Sequence, residues 1–180
     1  MRKPSKLTGG RIAKAQKHIE ANEKRMKPLK IVMDTNIVMD MLHFNNRHTT
    51  ALKTAVQKGL VTCYSDTECM AELERVTGYP EFGLDQPGRD VLMLNYRSFV
   101  VLCESQADEN YLLPRCRDAD DQKFLILAAR CQADMLLTRD KLLLRLARHR
   151  HKPPPFAILT AEAACPQLLQ LALEHPTPIF

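Results

Sequence analysis

Ile31-Val32-Met33-Asp34-Thr35-Asn36 is the stretch that decides the fold. Three apolar residues with no polar interruption read as a short strand buried on both faces, the pattern of a parallel sheet. The acid, hydroxyl and amide that follow open a helix over 34–44, with Ile37, Met41 and Phe44 on one face. Working outward, a helix over about 47–58 ends at Gly59, a good residue for the left-handed position after a helix. Val61 to Tyr64 is strand-like, and Ser65-Asp66-Thr67-Glu68 is a capping box that starts a helix running to about Thr77.

Pro80, Gly83, Pro87 and Gly88 mark a loop, followed by a helix near 88–99 and a short apolar run from Phe99 to Leu102. Residues 104–117 read as irregular, and Asp118 opens a helix through about Cys131. Then come a strand over 134–138, a basic helix over 140–150, a stiff break at Pro153-Pro154-Pro155, a strand over 156–159 and a helix over 161–173 capped by Thr160. Strands alternating with helices predict one α/β domain: a central parallel sheet of four to five strands with helices on both faces. There is no internal repeat.

Several acids fall at the ends of these runs. Asp34 directly follows the first strand, and Asp140 stands three residues beyond Leu137 in Leu136-Leu137-Thr138-Arg139-Asp140. In open α/β sheets that carboxyl edge is where ligands bind. Helix capping accounts for Asp34 or Asp140 taken singly. Glu72 has no capping explanation: it lies inside its helix, on the margin of the face formed by Cys69, Leu73 and Val76, where a carboxylate is costly unless paired. Glu74 points away. In Asp118-Ala119-Asp120-Asp121, Asp118 is the natural N-cap, and Asp121 projects along the apolar stripe of Phe124, Leu125 and Ala128. Carboxylates gathered at one edge repel each other unless a cation sits between them. The pattern therefore predicts a hard-cation site on Asp34, Glu72, Asp121 and Asp140, with Asn36 and Thr138 in support. Arg115, Arg117, Arg139 and Lys141 flank the acids, and they read either as phosphate contacts or as solvated surface cations.

Other chemistries lack their motifs. The chain has no phosphate-binding G-x-x-x-x-G-K-[ST] or G-x-G-x-x-G, no G-x-S-x-G elbow and no H-E-x-x-H. Six scattered cysteines without a C-x-x-C pair read as reduced thiols of a cytoplasmic protein. No apolar stretch approaches the ~18 residues of a membrane helix, and nothing resembles a signal-peptide core. The net charge of +5 is uneven: residues 1–30 hold ten Lys or Arg against Glu20 and Glu23, and the rest carries a net −3. Residues 1–29 are thus read as a basic extension that either holds phosphate backbones or is simply solvated, with no aromatic residue interleaving its charges, and 30–180 as one globular domain.

Ile31-Val32-Met33-Asp34-Thr35-Asn36-Ile37-Val38, the helical acid Glu72, the segment Arg115-Cys116-Arg117-Asp118-Ala119-Asp120-Asp121-Gln122-Lys123-Phe124-Leu125 and Leu137-Thr138-Arg139-Asp140 together resemble a PIN domain, the nuclease fold of VapC-type toxins. The resemblance covers about residues 30–160. It is greatest to a bacterial toxin subgroup with an R-D-P-D-D-x-K-F-L-type stretch. It implies a Mg²⁺- or Mn²⁺-dependent endoribonuclease whose acids are Asp34, Glu72, Asp121 and Asp140, with Asp118 a further recurrent acid. It also implies RNA as substrate, an antitoxin protein as partner and a homodimer. A binding module of the same fold that does not cut RNA is the alternative from another class. A haloacid-dehalogenase-like phosphatase would need an acid two residues after Asp34, where Asn36 stands.

Overall fold

The computed structural model describes residues 27–105 and 109–174. Residues 1–26, most of the basic extension, lie outside them. The apolar runs form five parallel strands: β1 (Leu29–Met33), β2 (Val61–Ser65), β3 (Val100–Leu102), β4 (Met135–Leu137) and β5 (Ala157–Leu159), in the spatial order β3-β2-β1-β4-β5. The helices are α1 (Thr35–Leu42), α2 (Thr50–Gln57), α3 (Thr67–Thr77), α4 (Gln86–Arg97), α5 (Gln122–Arg130), α6 (Lys141–Leu146) and α7 (Ala161–Glu174). The predicted α/β class, its strand count and its parallel pairing are what the structure has.

Alternation along the strands makes two cores. From β1 and β4, Ile31, Met33, Met135 and Leu137 face one side, where α1, α2, α4 and α7 cover them. Val32 and Leu136 face the other, under α5 and α6. The α3 helix serves both, with Met70 and Leu73 in the first core and Cys69 in the second. β1 lies at the centre and its last three residues are at most 2% exposed. The chain runs outward from β1 to β2 and β3, then returns to β4 on the other flank. The switch point therefore falls between the carboxyl ends of β1 and β4.

Several boundaries differ from expectation for local reasons. β2 runs one residue further than the capping box allows: Ser65 pairs with Leu102 in the sheet, and Asp66 caps α3 instead, accepting from the Cys69 N–H at 2.8 Å. Residues 47–58 divide into a 3₁₀ turn, Arg47–Thr49, and α2. α6 ends at Leu146, so the basic helix is shorter than predicted. Phe44 leaves the face shared with Ile37 and Met41. α1 stops at Leu42, Asn45 takes the left-handed conformation at φ +46°, and Phe44 is 52% exposed while Ile37 and Met41 are buried.

The predicted helix start at Asp118 is also overturned. Residues 117–121 form a bend and turn, and α5 begins at Gln122. The Gln122 side chain grips the residues leading into it, accepting from Cys116 N–H at 2.7 Å and donating to the Pro114 carbonyl at 3.3 Å. Asp118 folds back instead onto the Asp120 N–H at 3.0 Å.

At the far end of α5, the buried Arg130 guanidinium donates to Asp66 at 2.8 Å and forks onto Glu109. One cation thus joins the start of α3, the end of α5 and the segment before the turn. Removing one member of a buried ion cluster strands the rest. Arg130→Met is expected to lower unfolding stability by about 3–5 kcal/mol, read as a shifted urea midpoint with an unchanged slope.

Candidate active site at the carboxyl edge of the sheet

Asp34 leaves β1 in extended conformation, its N–H held by the Leu137 carbonyl of β4 at 2.9 Å. Its side chain is 4% exposed. Such a carboxylate survives burial only if its lone pairs are met. Here Oδ2 accepts from Asn36 Nδ2 and from Thr138 Oγ1, both at 2.5 Å, and Oδ1 accepts weakly from the Asn36 N–H at 3.4 Å. Burial pushes the Asp34 carboxyl above its ordinary range; these hydrogen bonds oppose that, and the charge of Glu72 adds to it. The supports extend further. Asn36 Oδ1 accepts from the Arg139 N–H at 3.0 Å, and Thr138 Oγ1 accepts from the Asp140 N–H at 2.9 Å. Asp140 Oδ1 in turn caps α6, accepting from Leu142 and Leu143 N–H groups at 2.5 and 3.2 Å.

Glu72 on α3 is largely buried and pairs with Lys123 of α5, whose ammonium also donates to the Asp120 carbonyl at 2.7 Å. Glu74 is exposed. Asp121 stands at the N-cap position of α5 but makes no capping bond. Its carboxyl group is instead pushed up to about 7, first by burial and then by the charges of Asp34, Asp118, Asp140 and Glu72. Asp34, Glu72, Asp121 and Asp140 all line one cleft of about 240 Å³, together with Asn36 and Arg139. Thr138 lies fully buried beneath it. Asp118 and Asp120 are exposed, and Asp118 reaches Asp121 as a neighbouring charge.

The flanking cations separate. Arg139 lines the acid cleft, with Nε 3.0 Å from Asp40. Arg115 lines a different, larger cleft of about 450 Å³ beside Tyr111 and Gln122, which none of the four acids enters. Arg117 and Lys141 are simply exposed. Two partners went unread in the sequence. Asp40 is an acid inside a helix between Met39 and Met41, the same signal that singled out Glu72. Lys123 sits within the quoted acidic segment, but nothing in its spacing points to Glu72, 51 positions earlier.

An all-oxygen donor set whose charges hold the Asp121 carboxyl up suits a hard cation in kind. Its spacing is looser: among the described residues no three of His, Cys, Asp and Glu stand close enough to hold a metal ion together. Lys123 meanwhile supplies positive charge at Glu72.

A protein-family model described as PIN domain matches residues 30–142, from the start of β1 through Asp140 and the first residues of α6. No curated protein matched the chain.

Asp121 gives a pH signature. Its carboxyl group titrates near 7 when folded against 3.8 ordinarily. Between those values the folded state binds more protons than the unfolded state, so stability falls as pH rises through that window. Asp121→Asn removes the effect. In urea titrations the variant is expected to match the wild type near pH 4 and to exceed it increasingly up to pH 8. A gap that does not change with pH would show that Asp121 titrates normally.

Proposed function

The chain belongs to the PIN-domain family, and from that premise we propose that it is a divalent-metal-dependent endoribonuclease that hydrolyses RNA phosphodiester bonds. PIN domains are generally nucleases, and a nuclease domain implies a nucleic-acid substrate. The observation that carries the reading is the meeting of Asp34, Glu72, Asp121 and Asp140 on one cleft, with Asp121 pushed up to about 7 by burial and then by the neighbouring charges.

In this reading those four residues would hold Mg²⁺ or Mn²⁺, with Asp118 adding charge from outside. When bound, such an ion supplies an activated water and positive charge for the developing phosphorane. Asn36 and Thr138 orient the Asp34 carboxylate through neutral donors, which leave its charge intact. Lys123 keeps Glu72 in place in the free protein. Arg139, and further out Arg115, Arg117 and Lys141, would meet flanking phosphates, and the basic residues of 1–29 would add affinity without chemistry.

The role of toxin in a type II pair, restrained by an antitoxin protein and acting as a homodimer, rests on the resemblance of the Arg115–Leu125 segment alone. A cytoplasmic site of action is consistent with six free cysteines, and no helix among the described residues is long and apolar enough to cross a membrane. One observation favours the second reading, a PIN-like module that binds RNA without cutting it: the acids are spread and Lys123 already occupies Glu72.

Incubation of pure protein with labelled RNA, with and without Mn²⁺, separates the two readings. Cleavage that requires Mn²⁺ is expected. Asp34→Asn should reduce it by about a hundredfold or more with the fold intact, because the amide keeps one oxygen for Thr138 and Asn36. Thr138→Val, which leaves Asn36 as the sole side-chain donor to Asp34, should cost about tenfold. Wild-type cleavage by Asp34→Asn would exclude this site. Mn²⁺ should also raise the melting temperature by mass action. Glu72→Gln should shrink that rise, and Glu74→Gln should leave it unchanged; equal responses would exclude Glu72 from metal binding.

A further inference from the structure

Along one wall of the acid cleft the carboxylates give way to aromatic rings. Phe44 and Phe82 line it, their centroids 5.9 Å apart with 63° between ring planes. Tyr79 stacks on Phe82 at 6.4 Å and 14°, and His43 meets Phe44 edge-on at 4.6 Å. Arg75 spreads over the outer ring, 5.5 Å from the Tyr79 centroid.

Core burial explains only part of this row. Phe82 is delivered by the 3₁₀ turn Pro80–Phe82, which closes through Gly83 at φ +61°, and it packs against the larger core. Phe44 does not bury. It stands beyond the end of α1, its N–H and that of His43 both tied to the Met39 carbonyl at 3.0 Å, with 52% of its surface exposed. Exposed aromatic surface beside a cleft is favourable to cover. The rest of that cleft is strongly charged, with four carboxylates and Arg139.

We propose that Phe44 and Phe82 form a stacking subsite for a nucleobase of single-stranded RNA, next to the phosphate that faces the acids. The proposal rests on the nuclease reading of the cleft. Carboxylates repel a phosphodiester, so affinity close to them has to come from a contact indifferent to charge. Stacking on an aromatic face is such a contact, and every base offers one. Arg139 inside the cleft and Arg75 at the end of the row are the cations that would meet neighbouring phosphates. An unpaired base can leave its strand to occupy the wall, whereas a base within a duplex is already stacked on both faces. The wall therefore selects single strands.

Fluorescence anisotropy on the full chain in EDTA, where no metal-dependent cutting occurs, tests this. The probes are a ten-nucleotide single-stranded RNA, the same strand in duplex form, and a strand of equal charge with abasic sugars. The wild type is expected to favour the intact single strand about tenfold. Phe44→Leu and Phe44→Ala should abolish that preference and Phe44→Trp should keep it. The salt slope should not change, because no phosphate contact is removed. A wild type without preference, or a Phe44→Leu protein that keeps it, would overturn the subsite, and the second result would assign the wall to an apolar protein surface. Cleavage of the same strand in Mn²⁺ separates the two levels. Cleavage with no effect of Phe44→Leu on binding refutes the subsite alone. No cleavage with the binding effect intact refutes the nuclease reading and supports the subsite.

Discussion

A carboxylate buried between two strand ends is the constraint on which this structure turns. Asp34 is 4% exposed and faces only neutral donors, the Asn36 amide and the Thr138 hydroxyl, each 2.5 Å from one oxygen. Burial of a charge is tolerable only when its lone pairs are met. Meeting them requires the loop after β4 to lie against the loop after β1. The same two donors then accept from Arg139 and Asp140, so satisfying one acid sets the backbone that presents the next. Fold and site share atoms here.

The protein treats its acids in graded ways. Asp66 is neutralised by a buried guanidinium and locked into structure. Glu72 has an ammonium partner at the edge of the cleft. Asp34 has hydrogen bonds without a counter-charge, and Asp121 is surrounded by four other carboxylates. Unresolved repulsion therefore grows toward the switch point of the sheet. An acid left with unresolved repulsion differs from a structural ion pair, which is complete by itself.

Much of this was legible in the sequence. Ile31-Val32-Met33 and Leu136-Leu137 betray buried parallel strands because both faces of such strands are covered and no polar alternation survives. Glu72 stood out because it had no capping work to do. What was illegible depends on partners distant along the chain. Gln122 reaches back six and eight positions to set where α5 begins, and an Asp-rich turn looks like an N-cap until that grip is seen. Arg130 and Asp66 lie 64 residues apart with no shared period. Phe44 obeyed the helical spacing of Ile37 and Met41, but the helix ended two residues before it, and a spacing rule does not say where a helix stops.

The cleft draws its acids from positions 34, 72, 121 and 140, at the ends or within four separate elements. β1, synthesised first, becomes the centre of the sheet only when β4 docks beside it, more than a hundred residues later. Closing so long a loop is a late event in folding. On a ribosome, which adds roughly 5–20 residues each second, Asp34 waits several seconds for Thr138 to emerge. Until then its carboxylate lacks the Thr138 hydroxyl, and the cleft lacks Arg139 and Asp140. Whatever chemistry those acids perform has to wait for β4 and the residues that follow it to dock.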